Sequence, residues 1–284
     1  MIPKEFDYVA PGTLDEALNA LREGGEDAKV LAGGHSLIPM MKVRLAAPTL
    51  LVDLGRISDL KQVWTNNGGL EIGSMVTYYQ LHTNEDIANG CSLLAETALA
   101  IGDNQVRARG TIGGSIAHAD PAADATAAVL ALGATIVTNN REIPASDFFL
   151  DLFTTALEPG EIVTAIRVPR HADRTGTAYV KVRNKASHYA LVGAAAVVSL
   201  GEDGSCSDIV VALTGAAAKP FRLEGVENAL KGTRLEDNDL DGAIGTVGAT
   251  DVDWMSDLFG SGDYRKHLAG VVARRAIEAA KGRV

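Results

Sequence analysis

Apolar residues recur at two spacings along this chain, and the switch between them marks out its elements. Leu14, Leu18 and Leu21 share one face at helical spacing, Thr13-Leu14-Asp15-Glu16 has the form of a capping box, and Gly24-Gly25 ends the helix. Lys29-Val30-Leu31 and residues 50–54 predict short strands, so the opening segment reads as a small helix-and-strand lobe. Residues 70–76 alternate as a strand does, and Thr77-Tyr78-Tyr79-Gln80 repeats the capping-box pattern. Helices are expected over 92–101 and 121–132, the second with Asp120 as N-cap and Pro121 at its first position. Residues 135–138 and 161–168 predict further strands. The polar turn 169–174 predicts a domain boundary near residue 172, with lobes of about 1–55 and 56–172 before it and a domain of 173–284 after it. In that domain, strands at 178–183, 191–200 and 209–214 predict a three-stranded antiparallel sheet, with Gly201-Glu202-Asp203-Gly204 turning the second into the third. A last helix over 264–280 places Leu268, Val271, Val272 and Ala276 on one face. The fold class is α+β.

Composition narrows the function. The chain has 284 residues, 46% hydrophobic and 22% charged, enough apolar material for a real core. A net charge of −10, with no Lys/Arg run, disfavours nucleic acid as a partner. The longest apolar stretch, residues 190–198, is too short to span a bilayer and reads as a buried strand, so an integral membrane protein is not expected. The segment Met1-Ile2-Pro3-Lys4-Glu5-Phe6-Asp7 lacks a basic region followed by an apolar run, which makes a cytoplasmic location the expectation. The two cysteines, Cys91 and Cys206, are too few to hold an iron–sulfur cluster or a structural zinc, and free buried thiols are expected.

The candidate chemistry lies in two glycine-rich segments, Ala32-Gly33-Gly34-His35-Ser36 and Thr111-Ile112-Gly113-Gly114-Ser115. Glycine lets backbone N–H groups come close to an anion, and Ser and Thr add hydroxyl donors. Either segment alone also suits an ordinary turn; together they suggest a grip on the two phosphates of a dinucleotide. The helix expected downstream would add its N-terminal amides, and Asp124 near its start could accept from ribose hydroxyls or only complement the helix dipole. Lys185 and Tyr189 lie between two strands, where a ring could cover a planar cofactor and an ammonium could hold negative charge; rim packing is the plainer alternative. G-x-G-x-x-G after a strand, G-x-x-x-x-G-K-[ST], H-E-x-x-H and G-x-S-x-G are all absent, so neither a nucleophile nor a metal centre is assigned, and His118-Ala119-Asp120 reads as a solvated loop.

The segment from Ala32 to Leu45 and the run from Thr111 to Asp124 resemble the two FAD motifs of the medium subunits of molybdenum hydroxylases, the family of aerobic carbon monoxide dehydrogenase medium subunits and xanthine dehydrogenase FAD domains. The resemblance extends over almost the whole chain. It implies a two-lobed FAD-binding domain of the vanillyl-alcohol-oxidase type followed by a smaller α+β domain. It implies that residues 32–36 with Leu37, and 111–115, hold the FAD pyrophosphate, and that Asp124 binds a ribose or ribityl hydroxyl. Lys29, Ile101, Ala117, Ile162 and Lys185 would line the cofactor, and Tyr189 would lie near the flavin ring. Ser115 stands where many relatives have asparagine, which keeps a polar side chain. No residue of this chain is assigned general acid–base or nucleophilic work. The resemblance further implies a large molybdopterin subunit and a small iron–sulfur subunit as partners, assembled as a dimer of heterotrimers. Electrons would pass from 2Fe–2S clusters to FAD and on to an external acceptor. The alternative from another mechanistic class is a stand-alone FAD oxidase acting directly on a small substrate.

Overall fold

Helix α1 (Leu14–Gly24) starts at a reciprocal cap: Glu16 N donates to Thr13 Oγ1 at 3.2 Å and Thr13 N to Glu16 Oε2 at 3.3 Å. It ends at Gly25, whose φ of +66° a residue with a Cβ rarely adopts. The computed structural model describes residues 2–66 and 69–284; Met1, part of the N-terminal segment considered above, lies outside them. Strands β1 (Asp7–Val9), β2 (Ala28–Leu31) and β3 (Leu50–Asp53) form a parallel sheet in the order β1-β3-β2, and helix α2 (Leu37–Lys42) lies between β2 and β3. β1 has no counterpart in the sequence reading because all three of its residues are exposed, leaving no alternation to read.

The second lobe opens with β4 (Val63–Asn66) and β5 (Gly69–Gly73). Six helices follow: α3 (Tyr78–Thr83), α4 (Glu85–Gly90), α5 (Ser92–Ala100), α6 (Asn104–Arg109), α7 (Ile112–His118) and α8 (Asp124–Ala131). Then come β6 (Thr135–Thr138), β7 (Glu142–Pro144), α9 (Ala145–Phe148), a hairpin of β8 (Phe149–Asp151) and β9 (Thr154–Thr155), and β10 (Val163–Pro169). The sheet is antiparallel in the order β4-β5-β10-β6-β7. Ile166 of the central strand pairs with Ile72 on one side and Ile136 on the other, all fully buried.

Three expectations are corrected here. The strand expected to run to Val76 stops at Gly73, where a Cβ would lie 2.3 Å from Leu60 O and the chain turns. The second glycine segment is no loop: Gly113 and Gly114 belong to α7, with Thr111 as its N-cap. The helix expected from Pro121 begins instead at Asp124. The C-terminal domain holds the intervening turn open: Gly215 N donates to Pro121 O at 2.7 Å, and the Thr214 hydroxyl lies 2.8 Å from Pro121 O and 2.9 Å from Ala123 O. Asp120 therefore caps a turn, accepting from Ala122 N at 2.9 Å.

β11 (Thr175–Arg183), β12 (Ala190–Leu200) and β13 (Cys206–Thr214) form the expected antiparallel meander. The sheet has four strands rather than three, because β14 (Phe221–Arg222) adds to β13; two residues are too few to show a period. Helices α10 (Glu224–Leu230), α11 (Asp237–Ile244) and α12 (Gly262–Lys281) follow. β12 explains the unbroken apolar run. Its Val192, Ala194, Ala196 and Val198 pack in one core with Val272, Ala273 and Ala276 of α12. Ala195 and Val197 face the other way, into the core that holds Leu93, Leu94, Ala127 and Ala128 of α5 and α8. A strand buried on both faces loses alternation. Cys91 and Cys206 are free and buried.

Prediction: Ala195→Leu forces extra volume between β12 and the α5/α8 layer. It should cost about 1–3 kcal/mol, read as a lower urea midpoint with an unchanged m-value.

Candidate functional site

A cleft of about 1560 Å³ opens between the two glycine segments, the loop 157–161 and the turn 187–189 of the C-terminal domain. It exceeds the roughly 300–1,000 Å³ of ordinary small-molecule sites. The first glycine segment leaves β2 and enters α2. Among the described residues, the backbone N–H groups of Gly33, Gly34, His35 and Ser36 donate to no protein acceptor, and all four residues line the cleft. Consecutive free amides in a turn form an anion-binding concavity. Gly34 has φ +74°, and a Cβ on Gly33 would lie 2.2 Å from Arg109 O, so the glycines are set by local backbone and packing. His35 Nε2 lies 3.1 Å from Gln105 O, which ties the segment to α6.

The second segment behaves differently. Four of its five amides are already used: Ile112 N donates to Val76 O at 3.1 Å, Gly113 N to Ser74 O at 2.9 Å, Gly114 N to Thr111 Oγ1 at 3.2 Å, and Ser115 N to Thr111 O at 3.1 Å. What it offers the cleft is the side-chain-free face of Gly114 and the hydroxyls of Thr111 and Ser115. A Cβ on Gly114 would lie 3.4 Å from Ala32 Cβ, so the two segments sit side by side.

Asp124, which lines the cleft, is held from behind by a buried ionic cluster. Tyr179 of β11 donates its hydroxyl to Asp124 Oδ1 at 2.5 Å, and Lys181 Nζ donates to Asp124 Oδ2 at 2.9 Å. Burial pushes the Asp124 carboxyl up, opposed by the Lys181 charge and by both hydrogen bonds. Burial and the Asp124 charge together push the Tyr179 phenol well up. Opposite, Tyr189 is 44% exposed at the rim, its phenol pushed up by burial and by the Asp120 charge, and within reach of Ser36. Tyr78 closes the space beneath Gly110, where a Cβ would lie 2.6 Å from its ring.

Of the residues singled out from sequence, Lys29, Ala32, Gly33, Gly34, His35, Ser36, Leu37, Ile101, Thr111, Gly114, Ser115, Ala117, Asp124 and Tyr189 all line the cleft. Four do not. Ile112 is buried in the core, and Gly113 packs on Ser74. Gly113 and Ile162 line a small adjoining chamber of about 70 Å³ that shares Ala32, Gly114 and Ala117 with the cleft. Lys185 is exposed on the turn and away from the lining. The sequence reading missed Lys181: its role depends on which strand residue faces Asp124, and that is set by the β11–β12 register. It also missed Tyr78 and the loop 157–161, which carry no motif.

Residues 4–171 match the family described as FAD binding domain in molybdopterin dehydrogenase, and residues 177–280 match the CO dehydrogenase flavoprotein C-terminal domain. The chain belongs to this FAD-binding family. It is 40% identical to the carbon monoxide dehydrogenase medium chain of Afipia carboxidovorans, covering 100% of this chain and 99% of that one. It superposes on carbon monoxide dehydrogenase from Hydrogenophaga pseudoflava with a TM-score of 0.95 at 40% identity, covering 99% of each chain. On quinoline 2-oxidoreductase from Pseudomonas putida the TM-score is 0.93 at 31% identity, again over 99% of each chain. The cleft suits the cofactor of this family: amides without a protein acceptor among the described residues for an anionic bridge, volume for a dinucleotide, and a tyrosine in the lining.

One wall of the FAD-family cleft depends on a buried carboxylate. Glu161 receives Arg141 Nε and Nη2 at 3.1 Å each, the Thr138 hydroxyl at 2.7 Å and Glu158 N at 2.8 Å. The Arg141 guanidinium, aided by the Thr138 hydroxyl, lowers its pKa to about 2 from an ordinary 4.5, despite burial. A depressed carboxyl stabilises the fold fully above its unfolded value and loses that contribution as pH falls through the folded one. Prediction: Glu161→Gln should lower stability at pH 7 by about 1–2 kcal/mol, discounted for the partial exposure of Arg141. The gap from the unsubstituted chain should close between pH 4.5 and pH 2, as followed by urea denaturation at stepped pH.

Proposed function

We propose that this chain is the electron-transferring FAD subunit of a molybdenum-containing hydroxylase or dehydrogenase, receiving electrons from 2Fe–2S clusters of a small partner subunit and passing them to an external acceptor. A large molybdopterin subunit would complete the complex as a dimer of heterotrimers. The observation that carries this reading is a run of four amides, Gly33 to Ser36, without a protein acceptor among the described residues, in a segment that lines a cleft of dinucleotide size. Bound FAD supplies two-electron redox chemistry; the protein supplies binding and orientation. The Gly33–Ser36 amides hold the pyrophosphate, and the Ser36, Thr111 and Ser115 hydroxyls add donors. Lys29, Leu37, Ile101 and Ala117 flank the cofactor, and Tyr189 covers one end. Asp124 has lone pairs left for a ribityl hydroxyl beyond its two internal bonds.

The cysteines support a separate electron donor. Burial pushes the Cys91 thiol up to about 12, and burial followed by the Asp208 charge pushes Cys206 up to about 11, so both are protonated thiols. The relatives fit the same scheme: the Hydrogenophaga structure is of a carbon monoxide dehydrogenase that lacks the Mo-pyranopterin moiety of its molybdenum cofactor, and the Afipia protein is a carbon monoxide dehydrogenase medium chain. We place the division between the FAD-binding part and the C-terminal part near residue 172, in the linker between β10 and β11. The two free thiols favour a cytoplasmic setting. Among the described residues, no helix is long and apolar enough to cross a membrane.

Two outcomes are expected. Gly114→Val fills the cleft beside Ala32 and costs the fold only the Thr111 cap, about 1 kcal/mol. It should abolish FAD retention while the far-UV spectrum stays native; full flavin occupancy would remove Gly114 from the site. Native purification of the tagged chain from its source should bring down one large and one small subunit, the small one showing iron–sulfur absorption. A flavin-loaded chain that purifies alone and oxidises a substrate unaided would favour the stand-alone oxidase.

A further inference from the structure

We propose that Lys181 is a positioning residue for the cleft: neutralised by Asp124, it holds the carbonyl of His188 and so fixes the turn that carries Tyr189 to the rim. This deepens the FAD reading above and rests on it.

The side chains of Lys181 and Asp124 are 6% and 5% exposed. A buried ion pair gives little net stability, because desolvation offsets most of the attraction. A pair kept directly behind the cleft lining, with Asp124 in that lining, points to a role beyond folding. Lys181 Nζ divides its donors between two parts of the protein: Asp124 Oδ2 at the start of α8, 2.9 Å away, and His188 O in the β11–β12 turn, 2.8 Å away. The first contact anchors the ammonium and the second uses it.

The turn needs an outside hold. His188 has φ +61°, a left-handed conformation unfavourable for a residue with a Cβ. Asn184 organises the turn internally, accepting from Ala186 N at 2.8 Å and from Ser187 N, and donating its own N–H to Tyr189 O at 2.8 Å. Those bonds fix its shape but not its placement over the cleft. Lys181 reaches the carbonyl immediately before Tyr189.

The rest of the cluster orients Asp124 for this task. Tyr179 occupies Oδ1, which leaves Oδ2 to Lys181. The Tyr179 hydroxyl reaches Oδ1 only because Gly193, opposite Lys181 in the ladder, has no side chain: a Cβ there would lie 2.3 Å from that hydroxyl. One line of placement thus runs from α8 through Asp124 and Lys181 to His188, on one side of Tyr189; on the other side Ala190 N donates to Ala122 O at a longer 3.3 Å.

The test uses the full chain, with FAD binding read by quenching of flavin fluorescence and local order by amide hydrogen exchange. Lys181→Met should weaken FAD binding about ten-fold and speed exchange at 184–189 about ten-fold, with α5 and α12 unchanged. In a Tyr189→Ala background the same substitution should weaken binding by less than about two-fold, since its effect acts through that ring. Lys181→Arg, which keeps the charge, should recover part of both effects. Unchanged exchange at 184–189, or equal losses of affinity with and without Tyr189, would overturn the proposal. Should Lys181→Met not fold, Lys181→Gln replaces it; failure of both to fold would make Lys181 a folding residue and overturn the proposal as well. If the unsubstituted chain binds no FAD, the cofactor reading fails, while the exchange measurement still decides whether Lys181 holds the turn.

Discussion

Burial of both faces of the β11–β13 sheet is the constraint that organises this protein. One face takes α12; the other takes α5 and α8, whose small residues allow close approach. The contact is more than apolar. Thr214 and Gly215, at the end of β13, hold the carbonyl of Pro121 and keep residues 121–123 out of helix. That places the first residue of α8, Asp124, against Tyr179 and Lys181. A carboxylate so enclosed needs a counter-charge, and Lys181 provides one behind the cleft lining. The cleft wall therefore follows from how a helix of one domain seats on the sheet of the other.

The two glycine segments look equivalent in sequence and differ in what they present. In the first, the chain leaves a strand and turns before its amides find acceptors, so four N–H groups have no acceptor among the described residues. In the second, Val76, Ser74 and Thr111 take those groups, and hydroxyls remain. Its glycines serve packing: Gly113 lets α7 press against Ser74, as Gly33 lets the first segment press against Arg109. Fixed backbone donors need little reorganisation to meet an anion, whereas hydroxyls rotate to suit it. The site thus pairs a rigid cradle with an adaptable side.

Much of this was legible in the chain. Both capping boxes form where Thr13 and Thr77 stand, and the meander of the C-terminal sheet follows its apolar runs. Local chemistry decides such features, and sequence displays local chemistry. The glycine segments and Tyr189 were also visible, because glycine pairs and a lone ring between strands are conspicuous. Long-range choices were not. Whether an amide is free depends on distant partners such as Val76 for Ile112. The start of α8 depends on Thr214, far along the chain. Lys181 was passed over for Lys185, its neighbour in the turn, because burial of a strand lysine is set by register and by the gap at Gly193. β1 and β14 were invisible for a simpler reason: two or three residues cannot show a period.

The turn that carries Tyr189, and the Thr214 and Gly215 bonds that hold the Pro121 carbonyl, come from beyond the linker between β10 and β11. The first domain by itself would have its amide cradle but no cover over it. Contacts between segments so far apart in the chain form late, after the loops between them have closed. A nascent polypeptide that has not yet reached β11 thus holds only half of a binding cavity, and the cleft can close over a coenzyme only once the turn at 184–189 has been made.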